Sequence, residues 1–157
     1  MTLDVLFNLA NLYVLPFWLG MILLPRWSVT LRGMTSLLPF VPLAGLYAYL
    51  FATSLTADSA QSFANPTLSD IARLFGDERV ALTGWVHFLV MDLLAGRWIY
   101  LEGRRTGVWT IHSLILCLFA GPLGLLSHIA TQAIQPLFGN RRLETAQSNA
   151  SESAQPE

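Results

Sequence analysis

The chain has 157 residues, 54% of them hydrophobic and only 12% charged, more apolar surface than a water-soluble domain of this size hides in a core. The net charge is −1 and every basic residue is an arginine near the edge of an apolar run, which leaves no basic patch for nucleic acid. Cys117 is the single cysteine, so no intramolecular disulfide forms.

Residues 2–24, 34–56, 80–101 and 109–134 each supply about 20 or more mostly apolar positions, the length a helix needs to cross the hydrocarbon core. The expected fold is all-α, an integral membrane four-helix bundle with a short interfacial helix between the second and third spans. Asp4, Asn8 and Asn11 sit in the opening turns of the first span. A signal-peptide reading fails there, because no basic segment precedes the run and Pro25-Arg26-Trp27 follows where small residues mark a cleavage site.

In the second span, Ala44, Gly45 and Ala48 allow close helix packing, and Pro39 and Pro42 predict a kink. The connection 57–79 is too long for a simple turn. Thr67 with Asp70 resembles a capping box, Leu68, Ile71, Ala72 and Phe75 form an apolar stripe, and Gly76-Asp77 end it. This predicts an interfacial helix over 67–75, either a lid over a site between helices or a passive surface helix.

The third span carries His87, Asp92 and Arg97 inside it. An ionisable side chain within a membrane stretch costs about 2.5 to 3.5 kcal/mol at the helix centre, so it ordinarily has a task and a partner. The fourth span holds His112, His128 and Pro122, with Gly121 and Gly124 beside the proline. After 138, the stretch 139–157 has almost no apolar content and is expected to be disordered. Arginines follow both odd and even spans, so orientation stays open.

The short connection 102–108 makes the last two spans antiparallel neighbours. At a common rise, Arg97 then lies level with His112, Asp92 with about Leu118 and Phe119, and His87 with about Gly124, His128 being roughly a turn away. His87, Asp92 and Arg97 are each about 140° apart, so one helix face cannot present all three. Asp92 with His87 or Arg97 converges only from the two sides of a groove, with His112 or His128 supplied by the fourth helix. The structural alternatives are a snorkelling Arg97 and hydrogen-bonded packing histidines. On one straight helix His112 and His128 stand about 24 Å apart and cannot share a haem iron. No metal or other cofactor is expected.

Trp85-Val86-His87, Asp92-Leu93, Arg97 through Tyr100, His112-Ser113, Gly121-Pro122-Leu123-Gly124 and Ser127-His128 together resemble the abscisic-acid-deficient-four-like membrane proteins. The likeness runs from the first span to Ile134 and is densest between Trp85 and His128. Plant members are implicated in forming neoxanthin from violaxanthin and 9-cis epoxycarotenoids, and relatives occur in cyanobacteria. No Ser- and Arg-rich transit extension is present, which points to a bacterial type, in an inner or thylakoid membrane.

The resemblance implies a carotenoid or xanthophyll isomerisation, either epoxide to allene or trans to cis. Epoxide opening needs an acid at the oxygen and a base for a carbon-bound proton, for which Asp92 and His87 are the candidates, with Arg97 or His112 setting their protonation. Trp85, Phe88, Phe119, Gly124 and His128 are candidate substrate contacts; Trp98 and Trp109 equally suit an interfacial belt. The partners implied are an apolar carotenoid, membrane lipids, and a second copy or other carotenoid enzymes. A non-enzymatic pigment-binding scaffold is the alternative, and a transporter is disfavoured without an internal repeat.

Overall fold

The computed structural model describes residues 2–55 and 66–135, and every regular element among them is helical. The expected tail, 139–157, lies outside the described residues. The elements are α1 (Leu3–Leu23), α2 (Ser28–Thr35), a 3-10 turn (Leu38–Phe40), α3 (Val41–Ser54), α4 (Leu68–Leu74), α5 (Glu78–Thr106), α6 (Ile111–Phe119) and α7 over residues 121–135. Among them, α1 and α5 are long and apolar enough to cross a membrane. The pair Ser28–Thr35 and Leu38–Ser54, bent by 69°, makes a third if it is one span.

The long helices start and stop where the local chemistry requires. Thr2 accepts a hydrogen bond from the Val5 amide at the head of α1, and Asp77 accepts from the Arg79 and Val80 amides at the head of α5. Pro25 bars further helix after Leu24, and α5 closes on Gly107, whose φ of 75° suits a residue without a side chain.

The central element is α5, packed against α1, α3 and α6. Ala10, Val14, Trp18 and Met21 make the buried stripe of α1. Trp18 lies over Gly96, where an added Cβ would come within 2.5 Å of its ring, so the glycine lets α1 approach α5 closely. The polar residue Asn11 of α1 is also spent on this contact, accepting from the Trp85 indole at 3.1 Å.

Two expected spans are corrected. The second is not one kinked helix over 34–56: α2 begins earlier, at Ser28, and the chain breaks at Ser36 and Leu37 before Pro39 and Pro42 begin the next helical stretch. Proline is favoured at a helix start because its missing N–H is not needed there.

The fourth is not one helix either. Ser113 and Ser127 hydroxyls are 3.1 Å apart, and His112 Nε2 is 2.9 Å from Thr131 Oγ1. On a straight helix these pairs would be about 21 and 28 Å apart. Instead α6 and α7 are the antiparallel arms of a hairpin that turns at Ala120, whose φ of −158° and ψ of 86° leave helical space. Pro122 restarts the helix rather than kinking it. Gly124 then packs directly on Cys117, with no room for a side chain. With nine residues, α6 rises only about 14 Å, well short of a bilayer core.

Candidate functional site

A crevice of about 240 Å³ opens between α3 and the first half of α5. Tyr47, Phe51 and Ser54 of α3, with Leu55 just after it, face the crevice three and four residues apart along one side. Val80, Thr83, Gly84, His87 and Phe88 answer from α5 with the same spacing. Phe75, just after α4, closes one end: its ring sits against Gly84, 2.5 Å from where a Cβ would stand. Thus α4, capped by Thr67 through the Asp70 amide, carries an aromatic plug to the crevice.

Its wall is mostly apolar, with a few polar atoms placed together. Ser54 and Thr83 hydroxyls meet at 3.4 Å across the two helices, each also donating to its own helix, to the Leu50 and Arg79 carbonyls at 2.7 Å. The Tyr47 and His87 rings are 5.7 Å apart and tilted by 49°. Neither the Tyr47 hydroxyl nor the His87 ring nitrogens have a hydrogen-bond partner among the described residues. His87 is exposed on the open side of the crevice. An apolar cleft with convergent, unengaged polar groups is the arrangement that binds small molecules and moves protons.

Asp92 is elsewhere. Its carboxyl lies against the Gly121 backbone, whose amide acts on it as a hydrogen-bonding group, and the Cys117 thiol donates to the Asp92 carbonyl at 3.4 Å. The carboxylate therefore sits at the tip of the α6–α7 hairpin and at the N-terminus of α7, where it opposes the helix dipole. The acid–base pairing of Asp92 with His87 is not formed: the two groups serve different faces of α5.

Arg97 joins neither. It donates to the Met34 carbonyl at 2.5 Å and the Thr35 carbonyl at 3.3 Å, closing the C-terminal end of α2. His112 is held inside the hairpin by Thr131 and Ser113. His128 is wholly buried with neither ring nitrogen hydrogen-bonded among the described residues, edge-on to Trp98 at 5.3 Å. The expected 24 Å separation of the two histidines does not hold, because the chain folds back between them. Trp85 packs on Phe7 of α1, Gly124 on Cys117, and Phe119 stands 82% exposed at the hairpin tip. Of the expected substrate contacts only Phe88 lines the crevice. Among the described residues no group of three or more His, Cys, Asp or Glu side chains is arranged to hold a metal.

Tyr47, Ser54 and Thr83 are the crevice groups not singled out from the sequence. Their signal was the pairing of two stripes, 47-51-54-55 on one helix and 80-83-84-87-88 on another.

Residues 5–128 match the family model described as ABA DEFICIENT 4-like, a match that takes in the crevice and the hairpin through His128. The chain belongs to this family. The protein named ABA DEFICIENT 4, chloroplastic, of Arabidopsis thaliana is 36% identical over 133 residues, covering 82% of this chain and 60% of that relative. The chain thus spans less than two thirds of the relative's length. No solved structure matches it. Within this ABA DEFICIENT 4-like protein, the crevice is an apolar cleft in which the Tyr47 hydroxyl and the His87 ring nitrogens have no hydrogen-bond partner among the described residues.

Proposed function

We propose that the protein is a membrane-embedded isomerase of xanthophylls, and that the crevice between α3 and α5 receives one ring end of the polyene. The observation that carries this reading is the unengaged Tyr47–His87 pair in an aromatic cleft. The crevice volume suits a substituted six-membered ring rather than a whole carotenoid. The rest of the polyene would lie along the outer side of α5, where His87 and Phe88 are exposed. Ser54 and Thr83 offer hydroxyl partners to a ring hydroxyl, which would set a xanthophyll above an unoxygenated carotene.

Epoxide-to-allene rearrangement fits these groups. His87 takes the proton from the polyene carbon beside the ring, and that C–H pair becomes the second bond of the allene. The ring carbon–oxygen bond breaks, and Tyr47 protonates the departing oxygen to leave a tertiary alcohol. Passing the proton from His87 back to Tyr47 resets both groups, so the reaction is a net isomerisation with no co-reactant. Asp92 holds the hairpin behind α5 and does not touch the substrate in this scheme. A thylakoid-type membrane is the proposed location.

The test is expression in a pigment-producing host that accumulates a 5,6-epoxy xanthophyll, with pigments resolved by chromatography. The native chain should yield the allenic product, and His87→Ala and Tyr47→Phe should each lower it by about 10²- to 10⁴-fold at equal membrane-inserted protein. Full conversion by both variants overturns the scheme. Pigment that copurifies with the native chain but is never converted would make it a binding protein instead.

A further inference from the structure

At the opposite end of α5, roughly a bilayer's thickness from the crevice by helix rise, lies a second and larger cavity. It is an open space of about 1050 Å³ between the α1–α2 turn and the α5–α6 turn. Two arginines, Arg26 and Arg104, line it, and no acidic residue does. Glu102, between the lining residues Tyr100 and Gly103, is already taken by Arg105 through two bonds of 2.8 and 2.5 Å.

Arg26 has no partner among the described residues. Arg104 is held in place: its Nη1 donates to the Pro25 carbonyl at 2.7 Å, and its guanidinium stands 5.9 Å from the Tyr100 ring centre. The Tyr100 hydroxyl donates to the same carbonyl at 2.7 Å. That leaves further donors of Arg104 available to an anion, on a side chain already fixed in direction. The start of α6 borders the cavity at Thr110 and Ile111, and Thr110 makes no side-chain cap.

The remaining wall is oily. Leu23 is 67% exposed, Trp109 64% and Trp27 52%, a surface continuous with the outside of α1. A soluble phosphate compound would use the arginines and leave this apolar rim bare. A lipid uses both.

We infer that the cavity binds the phosphate-bearing headgroup of an anionic lipid, gripped by Arg26 and Arg104, with its acyl chains laid along Leu23 and Leu24. Tryptophans at 27 and 109 mark the level at which a headgroup meets the hydrocarbon. The site is independent of the crevice chemistry, and no step of the proposed isomerisation passes through it.

Native mass spectrometry of the detergent-purified full chain tests this with phosphatidylglycerol and phosphatidylcholine of identical acyl chains. Phosphatidylglycerol should be retained preferentially. Arg26→Gln should weaken that retention about fivefold, the effect of one basic residue near a membrane surface, and the Arg26→Gln, Arg104→Gln pair should bring it to the phosphatidylcholine level. Arg26 is exposed and makes no hydrogen bond or ion pair among the described residues, so its single variant is expected to keep the fold and carries the test if the pair does not fold. Equal retention of the two lipids, or unchanged retention in Arg26→Gln, overturns the inference. In a separate arm, lipid-free protein is given inorganic phosphate alone. Phosphate adducts matching the level of phosphatidylglycerol would reassign the cavity to a soluble phosphate compound and also overturn it.

Discussion

The Asp92 carboxyl group rests on the backbone of Gly121, the first residue of α7. A chain that reverses among packed helices leaves the opening amides of its returning arm without intrahelical acceptors. A carboxylate placed there supplies an acceptor and a favourable charge for the helix dipole. The acid in the middle of α5 thus has a physical reason to exist before any chemistry is asked of it.

Replacing Asp92 separates these roles. Asp92→Asn keeps an acceptor and should cost at most about 1 kcal/mol, whereas Asp92→Leu leaves the Gly121 amide unmet at about 1–3 kcal/mol. Thermal unfolding in detergent, followed by circular dichroism, reads the difference. Pigment conversion by a stable Asp92→Asn should stay near native; its abolition would return the proton of Asp92 to the mechanism.

The plug of the crevice predicts a compensating pair. Gly84→Ala drives a Cβ onto the Phe75 ring, an overpacking that should cost about 1–3 kcal/mol and push the plug aside. Phe75→Ala removes the collision, so the double variant should be more stable than the sum of the single effects. The same thermal unfolding assay measures this, and additive losses would mean that the two residues do not touch.

Arg97 should behave as a structural residue. Arg97→Ala loses charged hydrogen bonds to the Met34 and Thr35 carbonyls and should cost about 1.5–3 kcal/mol. Arg97→Lys, which lacks the planar fork, should recover only part of it. Turnover per folded molecule is expected to be unchanged, measured as product formed against protein that survives size-exclusion chromatography.

The all-helical character was legible because long apolar runs have few other solutions, and a cap such as Thr67 declares where a helix begins. The reversal at Ala120 was not. An apolar stretch of that length reads alike whether it is straight or doubled, and a Gly-Pro pair suits a bend within one rod as well as a full reversal. The depth ladder accordingly worked up to the turn and failed past it: Asp92 does meet the neighbourhood of Cys117 and Gly121, while His87 never meets Gly124. The partner of His87 was missed for a related reason. Adjacency along the chain favoured the helix that follows α5, whereas the groups that face His87 come from α3, across a connection that includes α4.

The doubling of α6 on α7 also decides on which side the chain emerges. Gln132 reaches Glu102 at 3.4 Å, so residue 135 leaves at the end of α5 that holds Arg104 and Arg105. Thr2 begins at the other end, where Phe7 meets Trp85. A straight last rod would bring both to one side; the folded one sends them to opposite sides. Reporters placed before Thr2 and after residue 135 should therefore differ in protease accessibility in sealed vesicles. Cationic charge is also sorted: Arg26 and Arg104 stand unopposed at one pole, while Arg79 at the other is flanked by Asp77 and Glu78. By the bias that retains positive loops, the first pole is expected on the side where the chain is made, which the same reporters check.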